Sequence, residues 1–182
     1  MENSFLENLM FLERHIRENP DEFWNMHIED RKEILLIICK VHGYMYQYAP
    51  KNLKADKDII EASLSSCGEM LEKIPLIYKF RSTYVKMAVE NNGLALRFAP
   101  WVFRNDKEIA MKACENNGKA FLFVSKKLRS DKDVVFTACK HYEKAFYYMG
   151  DDLFRDKDFI DELRKANKNI AEYIDKNNEL IR

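Results

Sequence analysis

The residues able to do chemistry near neutral pH are few and scattered. Four histidines occur (His15, His27, His42 and His141), and four cysteines (Cys39, Cys67, Cys114 and Cys139). Cys39 and His42 stand three apart and would share a helix face, but two ligands are too few for a zinc site. Cys39, Cys114 and Cys139 fall in one column of the pattern described below, which marks them as small apolar fillers. The sequence contains no Cys-x-x-Cys, Gly-x-Ser-x-Gly, His-Glu-x-x-His or glycine-rich phosphate loop. Acid pairs such as Asp106/Glu108 and Asp131/Asp133 would suit acid–base work, but they recur along the chain. A catalytic centre is a singular constellation, whereas a helix cap recurs. The expectation is therefore no catalytic residue, no metal, no cofactor and no small-molecule substrate.

Binding chemistry is better represented. One basic ladder runs Lys54, Lys79, Arg104, Arg129, and a second runs Lys32, Lys57, Lys107, Lys132, Lys157. An aromatic column runs Phe23, Tyr48, Phe98, Phe123, Tyr148, Tyr173, broken by Lys73. Cations with aromatics could hold phosphates and stack bases, or form the hot spot of a protein interface. The simpler readings are ion pairs between neighbouring units and an ordinary core wall. The residues singled out for partner binding are Trp101, Phe103, Arg104, Lys126, Lys127 and Arg129, with Lys54, Lys79 and Arg81.

What positions these residues is a repeat. NNGLALRFAPWVFRND at 91–106 returns as NNGKAFLFVSKKLRSD at 116–131, a shift of 25. Gly43, Gly68, Gly93 and Gly118 share one register, as do Pro50, Pro75 and Pro100. Acid–lysine–acid recurs at 56–58, 106–108, 131–133 and 156–158, with a weaker version at 31–33, and is lost at Arg81-Ser82-Thr83. A fixed period of this size signals a solenoid. Each unit reads as a helix, a glycine in the left-handed conformation of a C′ residue, a shorter helix, and a connector with one apolar anchor. Asn105 with Glu108, and Ser130 with Asp133, read as capping boxes. Core columns run Ile34, Ile59, Tyr84, Ile109, Val134, Phe159; Ile38, Ser63, Ala88, Ala113, Ala138, Leu163; and Tyr46, Leu71, Leu96, Phe121, Phe146, Ala171. One hairpin cannot bury its own apolar face, so each unit supplies the wall on which its neighbour packs. The predicted fold is all-α: a short α-solenoid of stacked helical hairpins. It is expected to form one domain over 1–182, with an N-terminal cap at 1–30, repeats at 31–167 and a C-terminal cap helix at 168–182.

The pattern L-x-[FY]-A-P/S-x-x-[LF]-[RK]-x-D-K-[DE]-[IV], followed by an alanine-rich helix and N-x-G, resembles the repeat family known as domain of unknown function 4116. The resemblance covers roughly residues 30 to 170 and is best over 93–118 and 118–140. It departs at Arg81-Ser82-Thr83, which puts a regular inter-repeat contact in doubt there. It implies tandem helical hairpins, and no activity or catalytic residue comes with it.

Thirty basic and thirty acidic residues leave no net charge, which weighs against bulk electrostatic capture of nucleic acid. The acidic start MENSFLENLMFLERHI lacks the basic region of a signal peptide. No apolar run approaches the roughly 20 residues of a membrane span. A cytoplasmic location without a membrane role is expected, including a host cytosol if the protein is an effector. The leading function is a non-enzymatic protein-interaction module, with an effector or inhibitor that binds a larger protein machine as the envisaged role. The alternative is a helical repeat that binds RNA or single-stranded nucleic acid through the connector ladder and the aromatic column.

Overall fold

The computed structural model describes residues 2–25, 31–166 and 168–176, and every element among them is helical. His27, and residues 26–30 and 177–182 of the proposed caps, lie outside the described residues. Two helices open the chain, α1 (Glu2–Glu18) and α2 (Pro20–Asn25). The repeat helices are α3 (Arg31–Val41), α4 (Lys57–Ser66), α6 (Ser82–Asn91), α8 (Lys107–Asn116), α9 (Lys132–His141) and α10 (Lys157–Ala166). Single helical turns sit in two connectors, α5 (Leu76–Lys79) and α7 (Trp101–Arg104), and α11 (Lys168–Lys176) packs on α10.

The short second helix of each unit is a 3-10 helix: Gly43–Tyr48, Gly68–Glu72, Gly93–Phe98, Gly118–Phe123 and Glu143–Tyr148. Successive α-helices pack on one another, and so do successive 3-10 helices, which makes two layers. Between the layers the three expected columns meet. Tyr46, Leu71, Leu96, Phe121 and Phe146 are fully buried, as are Ser63, Ala88, Ala113, Ala138 and Leu163. Ile34 at one end of its column and Ala171 at the end of the third are only half-buried.

Two local expectations are corrected. The glycines do not adopt the left-handed conformation, since no described residue has positive φ. They are required by close approach. A Cβ on Gly68 would stand 2.2 Å from the Ala88 carbonyl oxygen, and one on Gly93 equally close to that of Ala113. The Asn-Asn-Gly triplet has three separate jobs. Asn116 reaches back one repeat, accepting from the Gly93 N–H at 2.7 Å and donating to the Glu90 carbonyl at 2.8 Å. Asn117 caps the next 3-10 helix by accepting from Lys119 N–H, and Gly118 packs against the following repeat. Asn91 and Asn92 act in the same two ways one repeat earlier.

The second correction concerns the helix starts. The N-caps are Asp56, Asp106, Asp131 and Asp156, whose carboxylates accept N–H bonds from the first turn. Asn105 and Ser130 instead serve the contact between repeats. Asn105 Oδ1 accepts from the Ser125 hydroxyl at 2.7 Å, and the Ser130 hydroxyl donates to Asp152 at 2.7 Å.

Candidate partner-binding surface

The connectors begin at Pro50, Pro75, Pro100, Ser125 and Gly150. Each proline has its φ fixed and needs no N–H partner, and its carbonyl accepts the first bond of the following turn. The apolar anchor of each turn points inward: Leu53, Tyr78 and Phe103 are half-buried, and Leu128 and Leu153 are buried. The two residues after the proline register then face solvent. In three connectors they are polar: Lys51 and Asn52, Lys126 and Lys127, Asp151 and Asp152. In the two central ones they are Leu76 with Ile77 and Trp101 with Val102. Leu76 is 66% exposed, Ile77 68% and Trp101 72%, with Phe80 alongside at 55%.

Consecutive connectors stack. The Arg104 carbonyl accepts the Ser125 N–H at 2.9 Å, the Arg129 carbonyl accepts that of Gly150 at 2.8 Å, and the Tyr78 hydroxyl donates to the Ala55 carbonyl at 2.7 Å. Leu76 and Ile77 occupy the same registers one repeat before Trp101 and Val102, and the 3-10 helices that lead into the two connectors pack on each other. Beneath Trp101 a groove of about 450 Å³ is lined by Arg104, Phe123, Ser125 and Arg129. Three repeats earlier a groove of about 510 Å³ holds Tyr48, Pro50 and Lys54 in the same registers.

The two basic ladders have different fates. At the helix starts, Lys32 Nζ lies 2.8 Å from Asp56 and 2.7 Å from Asp58 of the next repeat. Lys107 lies 2.9 Å from Asp131 and 2.6 Å from Asp133, and Lys132 pairs with Asp156. Burial acts to raise the Asp56 and Asp131 carboxyls, yet the lysine and the backbone N–H groups outweigh it and hold them below the usual carboxylate range. Lys132 does the same for Asp156. At Lys32, Lys107 and Lys132 this ladder is the ion-pair network of the simpler reading; Lys57 and Lys157 form no ion pair among the described residues.

In the connectors, Lys79 donates to the Glu72 carbonyl at 2.7 Å, and Arg129 to the carbonyls of Leu122 and Val124 at 2.8 and 3.2 Å. These two cations hold backbone. Arg81 stands 5.9 Å from the Tyr78 ring centroid. Lys51, Lys54, Arg104, Lys126 and Lys127 form no ion pair among the described residues. Of the singled-out residues, the groove gathers Trp101, Arg104 and Arg129. Lys126 and Lys127 are exposed one connector further on, Lys79 and Arg81 flank Phe80, and Lys54 belongs to the distant groove. Phe103 is an anchor packed against the core, so its main role is to hold α7 down. Leu76, Ile77, Phe80 and Val102 are missed by motif reading. Their signal is compositional: Leu76, Ile77 and Val102 stand where the other repeats carry Lys, Asn or Asp, and Phe80 stands in a column that otherwise holds Ala55, Asn105, Ser130 and Arg155.

The aromatic column is mostly wall. Phe23 is buried, Tyr48, Phe98, Phe123 and Tyr173 are half-buried, and Tyr148 is exposed. Arg97 lies over the Phe98 ring at 4.4 Å, and Lys73 pairs with Glu72 at 3.3 Å.

Burial pushes the Cys39, Cys114 and Cys139 thiols up to about 12, which suppresses the nucleophilic thiolate at neutral pH. Cys39 and His42 do not converge: Cys39 is buried, and His42 Nε2 faces Glu13 at 3.4 Å. No group of three or more His, Cys, Asp or Glu side chains suited to a metal occurs among the described residues. No described helix is long and apolar enough to cross a membrane.

No curated protein and no solved structure matches the chain. The family described as domain of unknown function (DUF4116) matches twice, over residues 31–80 and 83–129, and the two matches break at the departing segment Arg81-Ser82. Together they span more than half of the chain, and their repetition follows the stacked units of the fold: the protein belongs to the DUF4116 family.

Proposed function

We propose that this protein is a non-enzymatic interaction module that binds another protein through the connector strip centred on α5 and α7. The observation that carries the reading is the exposed apolar cluster Leu76, Ile77, Phe80, Trp101 and Val102. Each of these side chains leaves apolar area in water that a partner would cover, at about 25 cal/mol per Å². The side chains stand on turns pinned by buried or half-buried anchors, so little ordering entropy is lost on binding. Large exposed apolar clusters rimmed by polar residues mark interaction sites. Masking a larger protein machine, as an effector or inhibitor does, is a role this surface suits.

Nucleic acid is the less favoured ligand. Lys79 and Arg129 of the connector ladder are spent on backbone carbonyls, and the aromatic column is largely covered. The deciding experiment is affinity capture with the tagged chain from its native lysate, with and without nuclease, repeated with Ile77→Asp and Trp101→Asp. A protein partner that survives nuclease and is lost from both variants is the expected result. Partners that disappear with nuclease, or that bind both variants unchanged, overturn the reading.

A further inference from the structure

The charge around the apolar cluster specifies the partner further, on the basis of the interaction reading above. Across the first four connectors, 49–55, 73–81, 98–105 and 123–130, stand Lys51, Lys54, Lys73, Lys79, Arg81, Arg104, Lys126, Lys127 and Arg129, and no Asp or Glu; Lys73 pairs with the preceding Glu72, and Asp151 and Asp152 appear only in the fifth connector. The chain as a whole is neutral. This one-signed strip is thus local, balanced by acids elsewhere, many of them on the helices. Along the strip, Lys51 precedes Leu76 and Lys126 follows Trp101 in the same register, and Asn52 and Lys127 bracket Ile77 and Val102 in the next. Lys51, Lys126 and Lys127, which flank the apolar cluster, form no ion pair among the described residues.

We propose that the occupant of this strip is an acidic amphipathic polypeptide segment. Its apolar side chains cover Leu76, Ile77, Phe80, Trp101 and Val102, and its carboxylates meet Lys51, Lys126 and Lys127. An acidic side chain enters the groove beneath Trp101, where Arg104 stands with no ion pair among the described residues, while Arg129 holds the groove wall through the Leu122 and Val124 carbonyls. Packed helices of adjacent repeats lie about 8–10 Å apart. Two apolar anchors of the segment seven residues apart on a helix, a rise of about 10.5 Å, therefore reach both central repeats. Complementary potentials across the rim set orientation and on-rate, and the apolar centre supplies affinity. Trp101 and Phe80 offer π-faces, but Leu76, Ile77 and Val102, the other three of the cluster, offer none for a base, and a flat lipid surface has no side chain to place in the groove. Both observations favour a polypeptide.

The test is selection of random dodecapeptides displayed on phage against the full chain, followed by fluorescence anisotropy of the enriched peptides as synthetic probes. The enriched set is expected to carry net negative charge and at least two large apolar residues. Binding should weaken at least tenfold in Ile77→Asp and in Lys126→Glu/Lys127→Glu. It should also weaken several-fold between about 50 and 300 mM salt, because exposed charges are screened. Thermal melts of each variant establish that it is folded. Neutral or basic peptides that still require Ile77 overturn the acidic occupant and leave the interaction reading standing. An enriched set indifferent to Ile77 and Trp101 overturns both. So does binding of labelled oligouridylate, or of phosphatidylserine vesicles, that is lost with the same substitutions.

Discussion

Lysine recurs with the same period in two places, and the two ladders behave in opposite ways. At the helix starts, Lys32, Lys107 and Lys132 each reach across to the aspartate that caps the next repeat. In the connectors, Lys51 has Leu76 opposite, and Lys126 and Lys127 form no ion pair among the described residues although Asp151 and Asp152 follow one repeat on, Asp152 accepting from the Ser130 hydroxyl instead. Period alone does not decide whether a charge is structural; the partners it meets one repeat later do. The helix-start ladder also fails once, in the middle. Lys57 has Arg81 opposite, where an aspartate would be, and Asp106 has Ser82 behind it. There the join is made by other groups: Lys86 with Glu108 at 2.7 Å, Lys112 with Glu90, and the hydrogen bonds of Asn116. The apolar cluster lies on the connectors beside this irregular join. One region of the molecule is thus satisfied internally and holds the repeats together, and the other is left unsatisfied on its surface.

The sharpest way to test that division is to damage the joined side. Gly93→Ala places a methyl 2.2 Å from the Ala113 carbonyl oxygen, a backbone atom held in the adjacent helix. Overpacking of this kind costs about 3 kcal/mol, which for a chain of this size lowers Tm by roughly 6–12 °C. Gly150→Ala is the control. Its Cβ would meet the Ser130 hydroxyl at 2.0 Å and the Asp152 carboxylate at 2.6 Å, ends of side chains that can rotate away at the loss of one exposed hydrogen bond. Thermal melts followed by circular dichroism should rank Gly93→Ala well below Gly150→Ala. Equal effects would mean that the glycine column is not set by inter-repeat contact.

That column also shows how far sequence reasoning reaches. The period, the three core columns and the two-layer stack are legible because burial selects residue type at every turn of the repeat. Ser63 and Ala88 are small where helices cross, and Phe121 and Phe146 are large where the layers meet. The reason for each glycine is not legible. A left-handed C′ residue and a close helix contact both demand glycine, and only the distance to Ala113 separates them. The cap is misplaced by one residue for a similar reason: Asn105 and Asp106 both suit an N-cap, and Asn105 is drawn off by Ser125 of the next repeat. Of the site, Trp101 and the cations are visible as residue types. Leu76, Ile77 and Phe80 look like core residues in a string, and only the inward turn of Tyr78 puts them outside.

Repairing the broken rung gives a smaller effect of opposite sign. Arg81→Asp with Ser82→Lys and Thr83→Asp would supply α6 with a capping carboxylate, which it lacks, and acids facing Lys57. A new lysine at 82 would face Asp106. A cap contributes about 0.5–2 kcal/mol, and exposed ion pairs add little beyond it. A gain of about 1 kcal/mol at pH 7 is expected from chemical denaturation. The sign with pH follows from the existing caps. Asp56, Asp131 and Asp156 are held below the usual carboxylate range when folded. Such groups stabilise the fold above the unfolded value of about 3.9 and lose that contribution as pH falls through the lowered folded values. The advantage of the triple variant should therefore be flat from pH 7 to 5 and vanish in acid. An advantage that persists at pH 2, or none at pH 7, would show that the rung carries no carboxylate-dependent stability.

The smallest effect belongs on the open side. Trp101→Ala removes one of the largest side chains in the chain, and in a core that change costs about 3–5 kcal/mol. Phe121→Ala, fully buried one repeat away, should cost that much. Trp101 is 72% exposed and its indole makes no hydrogen bond among the described residues, unlike that of Trp24, whose Nε1–H donates to the Tyr48 carbonyl at 2.7 Å. Its loss should move stability by no more than about 0.5 kcal/mol, the range of ordinary surface changes. Denaturant melts of Trp101→Ala and Phe121→Ala in parallel measure the gap. If Trp101→Ala approaches the cost of Phe121→Ala, the tryptophan is part of the packing that joins the repeats. A tryptophan that costs almost nothing to remove is instead a large apolar surface held in water on a rigid turn, which the fold does not need for its own stability.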